Sequence, residues 1–450
     1  MTPPIVYDLL VEGCILIASA HEAPVLDAAI GITGGRFAFV GRAVDLPPGA
    51  TAAERLTLPG HLCLPGLINV HTHTILSMVR GSAEDMGFAP AYTPGVPQGH
   101  MVTEDEAIAL ARLGACEAML FGSTLINDTY VHTDLTLPAM ADLGLRVFSC
   151  NRIHDVDFSG IAHGRWEYDA AAGDRLLEQA EALAQRFHHK PGARTGVQLA
   201  AHAPDTCSPA FLRRIAALSR RLDIPVQTHL AQSKVEVAHI RERDGMTPAE
   251  LLDDVGLLDD GLVAAHCIHV TEGDIARIGR ARVNVAHIPK GNATGGTIAP
   301  TRALTEAGAR LCLATDNMHA DMVEVMRWAL CMGRIQRGAV EDSWAPEHML
   351  EAATLNGAAA MGMAGELGAI RTGWRADLVL ADLRRPHLTP HQDPFGSFLH
   401  TGHGRDITHV VVEGEVIVRD GRPVRADLET ICREGAAAAA ALWARAGTGR

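Results

Sequence analysis

Pro65-Gly66-Leu67-Ile68-Asn69-Val70-His71-Thr72-His73 is an apolar run that ends in two histidines separated by one residue. Leu67, Ile68 and Val70 suit a buried strand, and Pro65-Gly66 marks the point where a chain turns into one. Side chains at i and i+2 of a strand share a face, so His71 and His73 can point into one cavity at the strand's carboxyl end. Two imidazoles so placed suit a divalent metal better than they suit a solvated surface.

Seven more runs of this kind follow: STLINDTYV (123–131), RVFSCNRI (146–153), GVQLAAH (196–202), IPVQTHL (224–230), LVAAHCIH (262–269), VNVAHIP (283–289) and RLCLATD (310–316). Helical patterns over 106–120, 176–187, 209–222 and 322–335 lie between them. Alternating strands and helices in that number predict a (β/α)8 barrel. Its strands end in polar residues: His71 and His73, Asn127 and Asp128, Asn151, His202, His229, His266, His287 and Asp316. In a barrel those ends surround one mouth. Burying so many imidazoles and carboxylates there is costly without partners, and a shared metal-centred site accounts for them.

The two ends of the chain have a different texture. Short apolar runs broken by Gly and Pro fill residues 5–62, and the same pattern returns over 368–423, where Asp420-Gly421 marks a hairpin turn. We expect residues 1–62 and 368–450 to form one β-sandwich module around a barrel of residues 63–367. The alanine-rich stretch 428–447 is expected to be a helix used for packing or for a dimer contact.

Composition narrows the function classes. The chain has 450 residues, 47% hydrophobic and 20% charged, which suits a globular protein with a large core. With 39 basic against 53 acidic residues the net charge is −14, and no polybasic stretch suggests nucleic acid or an anionic membrane as partner. Nine cysteines without a CxxC pair read as reduced, mostly buried thiols. There is no secretory signal pattern and no uncharged apolar run of membrane-spanning length. A cytoplasmic protein is expected, acting on a small molecule as a homo-oligomer, dimer or tetramer.

The run PGLINVHTH followed by ILSMVRGSAEDM resembles the opening of the amidohydrolase superfamily, in the branch of chlorohydrolases and of cytosine, guanine and S-adenosylhomocysteine deaminases. The resemblance continues through AAHAPDTCSP, IPVQTHLAQSKVEV, VAAHCIHVTEGDIARI, VNVAHIPKGN, LCLATDN and LNGAAAMGM to IRTGWRADLVLADL and VVVEGEVIVRDG, in the family's order. It implies one divalent ion, Zn2+ first and Fe2+ second, held by His71, His73, His229 and Asp316. It also implies that Asp316 takes the proton of the attacking water, that His266 polarises the substrate or orients the water, and that His202 contacts substrate. Neutral imidazoles with one carboxylate suit such an ion, and the absence of a thiolate speaks against a structural site.

Two departures stand out. Deaminases of the branch usually carry a Glu three residues after the third histidine ligand, where this chain has Gln232; an amide can orient a ring but cannot shuttle a proton. Gly291 stands where the family usually has Ser. The loop FAPAYTPGVPQGH (88–100) replaces a Trp-rich helical segment, and a second loop (153–169) carries His154, Asp157, His163 and Trp166. Tyr92, Trp166, His154 and Gln232 are therefore candidate substrate contacts beside His202. The expected activity is metal-dependent hydrolysis at an sp2 carbon bonded to nitrogen, such as deamination of a purine-, pterin- or triazine-like heterocycle. Hydrolysis of a cyclic amide, urea or carbamate, or hydrolytic dechlorination, is the alternative that Gln232 favours. A non-catalytic binding or assembly protein of the same fold is the alternative of another class, and the intact ligand set argues against it.

Overall fold

The computed structural model describes residues 5–82, 84–85, 89–188 and 194–447. Eight parallel strands make the barrel: β1 (Leu67–Thr72), β2 (Ser123–Tyr130), β3 (Arg146–Ile153), β4 (Leu199–Ala201), β5 (Val226–Leu230), β6 (Val263–His266), β7 (Asn284–His287) and β8 (Arg310–Leu313). They lie side by side in chain order, and a short strand, Thr195–Gly196, also pairs with β3. The chain beyond β8 closes the ring, since the Asp316 N–H donates to the His71 carbonyl at 3.1 Å and the His73 N–H to the Asp316 carbonyl at 2.7 Å. The run 146–153 is a strand over its whole length, and the other expected runs are shorter as strands. The run 196–202 is interrupted at Gln198, whose side chain accepts from Asn127, and the run 262–269 ends at His266, so His269 lies beyond it. The barrel is (β/α)8, as the alternation predicts.

The helices around it begin and end where local chemistry dictates. Thr103 and Glu106 form a reciprocal cap at the start of α1 (Glu104–Leu120), and Ser208 caps α2 (Pro209–Leu222), which carries Pro at its first position. Leu212, Ile215, Ala216 and Leu218 of α2 are buried against the strands, in a shared cluster with Val197, Leu199 and Val226. Arg213, Arg214 and Arg221 on its outer face pair with Asp254, Asp174 and Glu181.

A second, nine-stranded sheet is built from both ends of the chain. Its amino-terminal part comprises Val6–Leu16, Val25–Thr33, Arg36–Arg42, Thr51–Thr57 and His61–Pro65, and its carboxyl-terminal part Leu378–Asp382, Ile407–Val412, Glu415–Arg419 and Arg422–Pro423. The halves join where Leu378–Asp382 pairs antiparallel with His61–Pro65, Leu380 opposite Cys63. The expected alanine-rich helix is α3 (Leu428–Ala446). It packs on α1 of the same chain, with Trp443 Nε1 donating to the Met78 carbonyl at 2.8 Å and Arg445 paired with Glu106. All nine cysteines are free, and seven are buried; Cys331 and Cys432 are exposed. Among the described residues no helix is long and apolar enough to cross a membrane.

Candidate metal centre at the barrel mouth

Each ligand candidate arrives on a strand end. β1 delivers His71 and His73, β5 delivers His229, β6 ends on His266, and the turn after β8 presents Asp316. One donor atom from each of His71, His73, His229 and Asp316 can be chosen so that all four lie within 4.8 Å of one another, and all four residues are buried. His266 and Asp316 have positive φ, 74° and 65°. Side chains other than Gly rarely adopt that backbone, and such strain persists where the surrounding structure over-determines it, as at functional sites.

The hydrogen bonds decide the tautomers. His73 Nδ1 faces the Thr129 carbonyl and His229 Nδ1 faces the His202 carbonyl at 2.6 Å; a carbonyl only accepts, so both Nδ1 atoms carry the proton. His71 Nδ1 likewise donates to Gln227 Oε1 at 3.0 Å. The three Nε2 atoms are therefore bare lone pairs turned inward. His73 Nε2 and His229 Nε2 lie 3.2 Å apart, and His73 Nε2 lies 3.3 Å from Asp316 Oδ1. His71 Nε2 has no hydrogen-bond partner among the described residues, and Asp316 Oδ1 lies 3.9 Å from it. Converging lone pairs repel unless a cation lies between them, and three neutral imidazoles with a carboxylate are the donor set of a borderline divalent ion. The residues fit such an ion.

Electrostatics points the same way. Burial holds His71, His229 and His202 well below the usual imidazole pKa, takes His73 down to about 3 and His266 down to about 4. The rings are neutral near pH 7, the ligand-competent form. Burial pushes Asp316 up to about 7, with no positive partner among the described residues to offset it.

The cavity in front of these donors is lined by His73, His229, His266 and Asp316 together with His202, Gln232, Tyr130, Arg152 and Asn317. The Thr206 hydroxyl donates to the Ala203 carbonyl, so His202 Nδ1–H donates to Thr206 Oγ1 at 2.9 Å, and His266 Nδ1 meets Asn292 Oδ1 at 3.0 Å. The remaining substrate-contact candidates lie elsewhere. Tyr92 and Trp166 do not line this cavity; both reach Asp205, Tyr92 by its hydroxyl at 2.9 Å and Trp166 by Nε1 at 3.2 Å. His154 lines an adjoining cavity of about 580 Å³ with His100, His132 and Arg186, and Arg152 lies between the two cavities. Asp157 caps a short helix through Ser159, and His163 lines neither cavity.

Asn127, Asp128 and Asn151, also at strand ends, serve the framework. Asn127 donates to the Val70 carbonyl, Asp128 accepts from Thr74 N and Oγ1, and Asn151 Oδ1 accepts from Thr133 N. Asp205 and Asn292 fall within the resembling stretches AAHAPDTCSP and VNVAHIPKGN but were not singled out there, and neither was Arg152. Arg152 adjoins Asn151 and Asp205 follows His202 by three residues, so proximity to named strand ends was a further signal.

The amidohydrolase family model matches residues 62–417. The chain belongs to that family. It is 30% identical over 433 residues to the 5-methylthioadenosine/S-adenosylhomocysteine deaminase of Moorella thermoacetica, a match covering 93% of this chain and 97% of that one. It is 32% identical over 373 residues to the 5'-deoxyadenosine deaminase of Methanothermobacter thermautotrophicus, covering 80% and 83%. Among solved structures it is similar to an adenosine deaminase from Xanthomonas campestris with bound zinc, at a TM-score of 0.88 and 25% identity, covering 99% of this chain and all of that one. It also shares the fold of a zinc-bound atrazine chlorohydrolase from Arthrobacter aurescens, at a TM-score of 0.86 and 24% identity over 96% of this chain and all of that one. This amidohydrolase is a hydrolase acting on carbon–nitrogen bonds.

Proposed function

We propose that the chain hydrolyses an sp2 carbon–nitrogen bond in a small nitrogenous compound, releasing ammonia from a purine-, pterin- or triazine-like heterocycle. The observation that carries this reading is the cluster of three inward-facing bare Nε2 atoms and one carboxylate at the barrel mouth. The names of the relatives, deaminases of adenine-containing nucleosides, support an aminoheterocycle.

His71, His73, His229 and Asp316 would hold the ion, Zn2+ first and Fe2+ second. When bound, such an ion supplies a water acidic enough to attack near neutral pH. Asp316 takes the proton of that water and returns it to the leaving nitrogen, so the proton stays within one carboxylate's reach. His266, kept neutral and oriented by Asn292, steadies the attacking water or the substituent on the attacked carbon. His202 and Gln232 border the same cavity and orient the substrate. The acidic balance and unpaired thiols suit the cytoplasm.

Hydrolysis of a cyclic amide, urea or carbamate is a second reading, favoured by Gln232. Ammonia release from aminoheterocycles, measured beside hydrolysis of amides and ureas, separates the two. Activity on one panel that disappears with a chelator and returns with Zn2+ is the expected result. Failure of every member of both panels with metal-loaded protein would sink the reading.

A further inference from the structure

Arg152 lies near the carboxyl end of β3, and its side chain lines both the cavity of the metal centre and the adjoining one. It is only 8% exposed. Aromatic rings flank its guanidinium, whose Cζ lies 4.2 Å from the Tyr130 ring centre and 4.7 Å from that of Phe158. Those rings in turn meet the metal centre's surroundings: Tyr130 lies 6.2 Å from the His73 ring, and Phe158 lies 4.8 Å from the His202 ring. One side chain therefore separates this cation from a metal donor.

No carboxylate among the described residues neutralises it. Asp316, Glu84 and Asp134, the acids that line the two cavities, form no ion pair with it, and its Nε has no hydrogen-bond partner. Other buried arginines of the fold are paired, Arg146 with Asp377 and Arg302 with Glu341. Tyr130 and Phe158 favour a cation through their ring faces but carry no charge of their own. A guanidinium does not shed its proton, so burying it without a counter-ion costs stability. Such a violation is expected where a ligand completes the pair.

We propose that Arg152 receives a carboxylate carried by the substrate's heterocycle, on the ring itself or on a short arm, at the end away from the attacked carbon. The inference rests on the reading that this cavity is where hydrolysis occurs, and it names the substrate class as an acidic aminoheterocycle. The planar fork of N–H donors matches a carboxylate, and one cation balances one monoanion, whereas a phosphate dianion would be left partly unpaired. The single ring between Arg152 and His73 sets the reach, so an acid on a long flexible tail would pass beyond it.

The test is binding of acids and their carboxamides to the Zn2+-loaded full chain: pterin-6-carboxylate against pterin-6-carboxamide, 5-carboxycytosine against cytosine-5-carboxamide, and 4,6-diamino-1,3,5-triazine-2-carboxylate against its amide. Each pair shares a shape and differs in charge. The wild type should bind the acid about tenfold more tightly in at least one pair. Arg152→Met keeps a stem between the two rings and removes the charge. The preference should vanish there with metal content unchanged, and thermal unfolding should come no earlier than in the wild type, because no partner is orphaned. Arg152→Lys keeps the charge without the fork and should retain about a threefold preference. Equal affinity for acid and amide in every pair, binding of none of these compounds, or a preference unchanged in Arg152→Met would overturn the proposal. So would a preference for S-adenosylhomocysteine over 5'-methylthioadenosine, or for adenosine 5'-phosphate over adenosine, that exceeds every ring-acid preference, because the anion would then sit on a tail or be a phosphate. Acid preference in a protein that releases ammonia from no compound would overturn the proposed function and leave the carboxylate site standing.

Discussion

At the scale of single residues, the donor set makes the sharpest claims. His73→Ala removes one Nε2 from the cluster, and metal analysis after dialysis should find the ion largely lost where the wild type holds close to one equivalent. Asp316→Asn retains an oxygen but cannot take a proton, so turnover should fall at least a hundredfold while metal is largely kept. His287 behaves differently. It is fully buried, and neither ring nitrogen has a partner among the described residues. Burial and the neighbouring His266 take it down to about 3. The unfolded chain binds that proton first as pH falls, so the stability it carries is complete above about pH 6.5 and is lost as pH drops towards 3. His287→Leu should therefore lose about 2 kcal/mol less than the wild type between pH 7 and pH 5 in denaturant titrations. The histidine ligands were legible because local apolar periodicity marks strand ends, where they fall. Thr129 and His202 hold the tautomers through backbone carbonyls, which every residue has, so that part was not legible.

At the scale of elements, the strand bearing His71 and His73 depends on how closely α1 approaches it. A Cβ built on Gly114 of α1 would lie 2.5 Å from the Thr74 carbonyl oxygen, one residue beyond His73. That atom is backbone and cannot swing aside. Gly114→Ala should cost about 1–3 kcal/mol and loosen metal binding, read as faster loss of the ion to a chelator. Gly273→Ala, at an exposed helical position where the nearest atom is Thr271 Oγ1 at 3.7 Å, provides a contrast that leaves the ion's release unchanged. The barrel alternation was plain in the sequence, whereas the break at Gln198 was not. There Gln198 joins a buried side-chain network with Asn127 of β2 and Gln227 of β5 that reaches His71.

For the whole molecule, the two chain ends share one sheet, and buried charge fastens that sheet to the barrel. Arg146, at the start of β3, meets Asp377 at 3.3 Å with both side chains nearly inaccessible, and Asp377 also accepts from Glu413 N at 2.8 Å. Asp377→Ala leaves the buried Arg146 guanidinium with only the more distant Glu413, at 4.0 Å, and should cost about 3 kcal/mol. We propose that residues 1–62 and 368–450 fold as one unit and 63–367 as the other. Truncation at Gly368 should yield insoluble protein, because it unpairs the His61–Pro65 strand and bares its apolar face. A soluble, active barrel of 63–367 would refute that division.

The sequence by itself determined the alternation of strands and helices, the return of β texture at the carboxyl end, and the chemical types of the donors. These are local patterns, carried by burial periodicity and residue identity. Tertiary structure alone decided which ring nitrogens are bare and where Tyr92 and Trp166 turn. The contacts responsible join residues far apart in the chain: His71 with Gln227, His73 with Thr129, Tyr92 with Asp205. A hydrogen bond's direction depends on the partner that folding brings, and no local pattern encodes that partner.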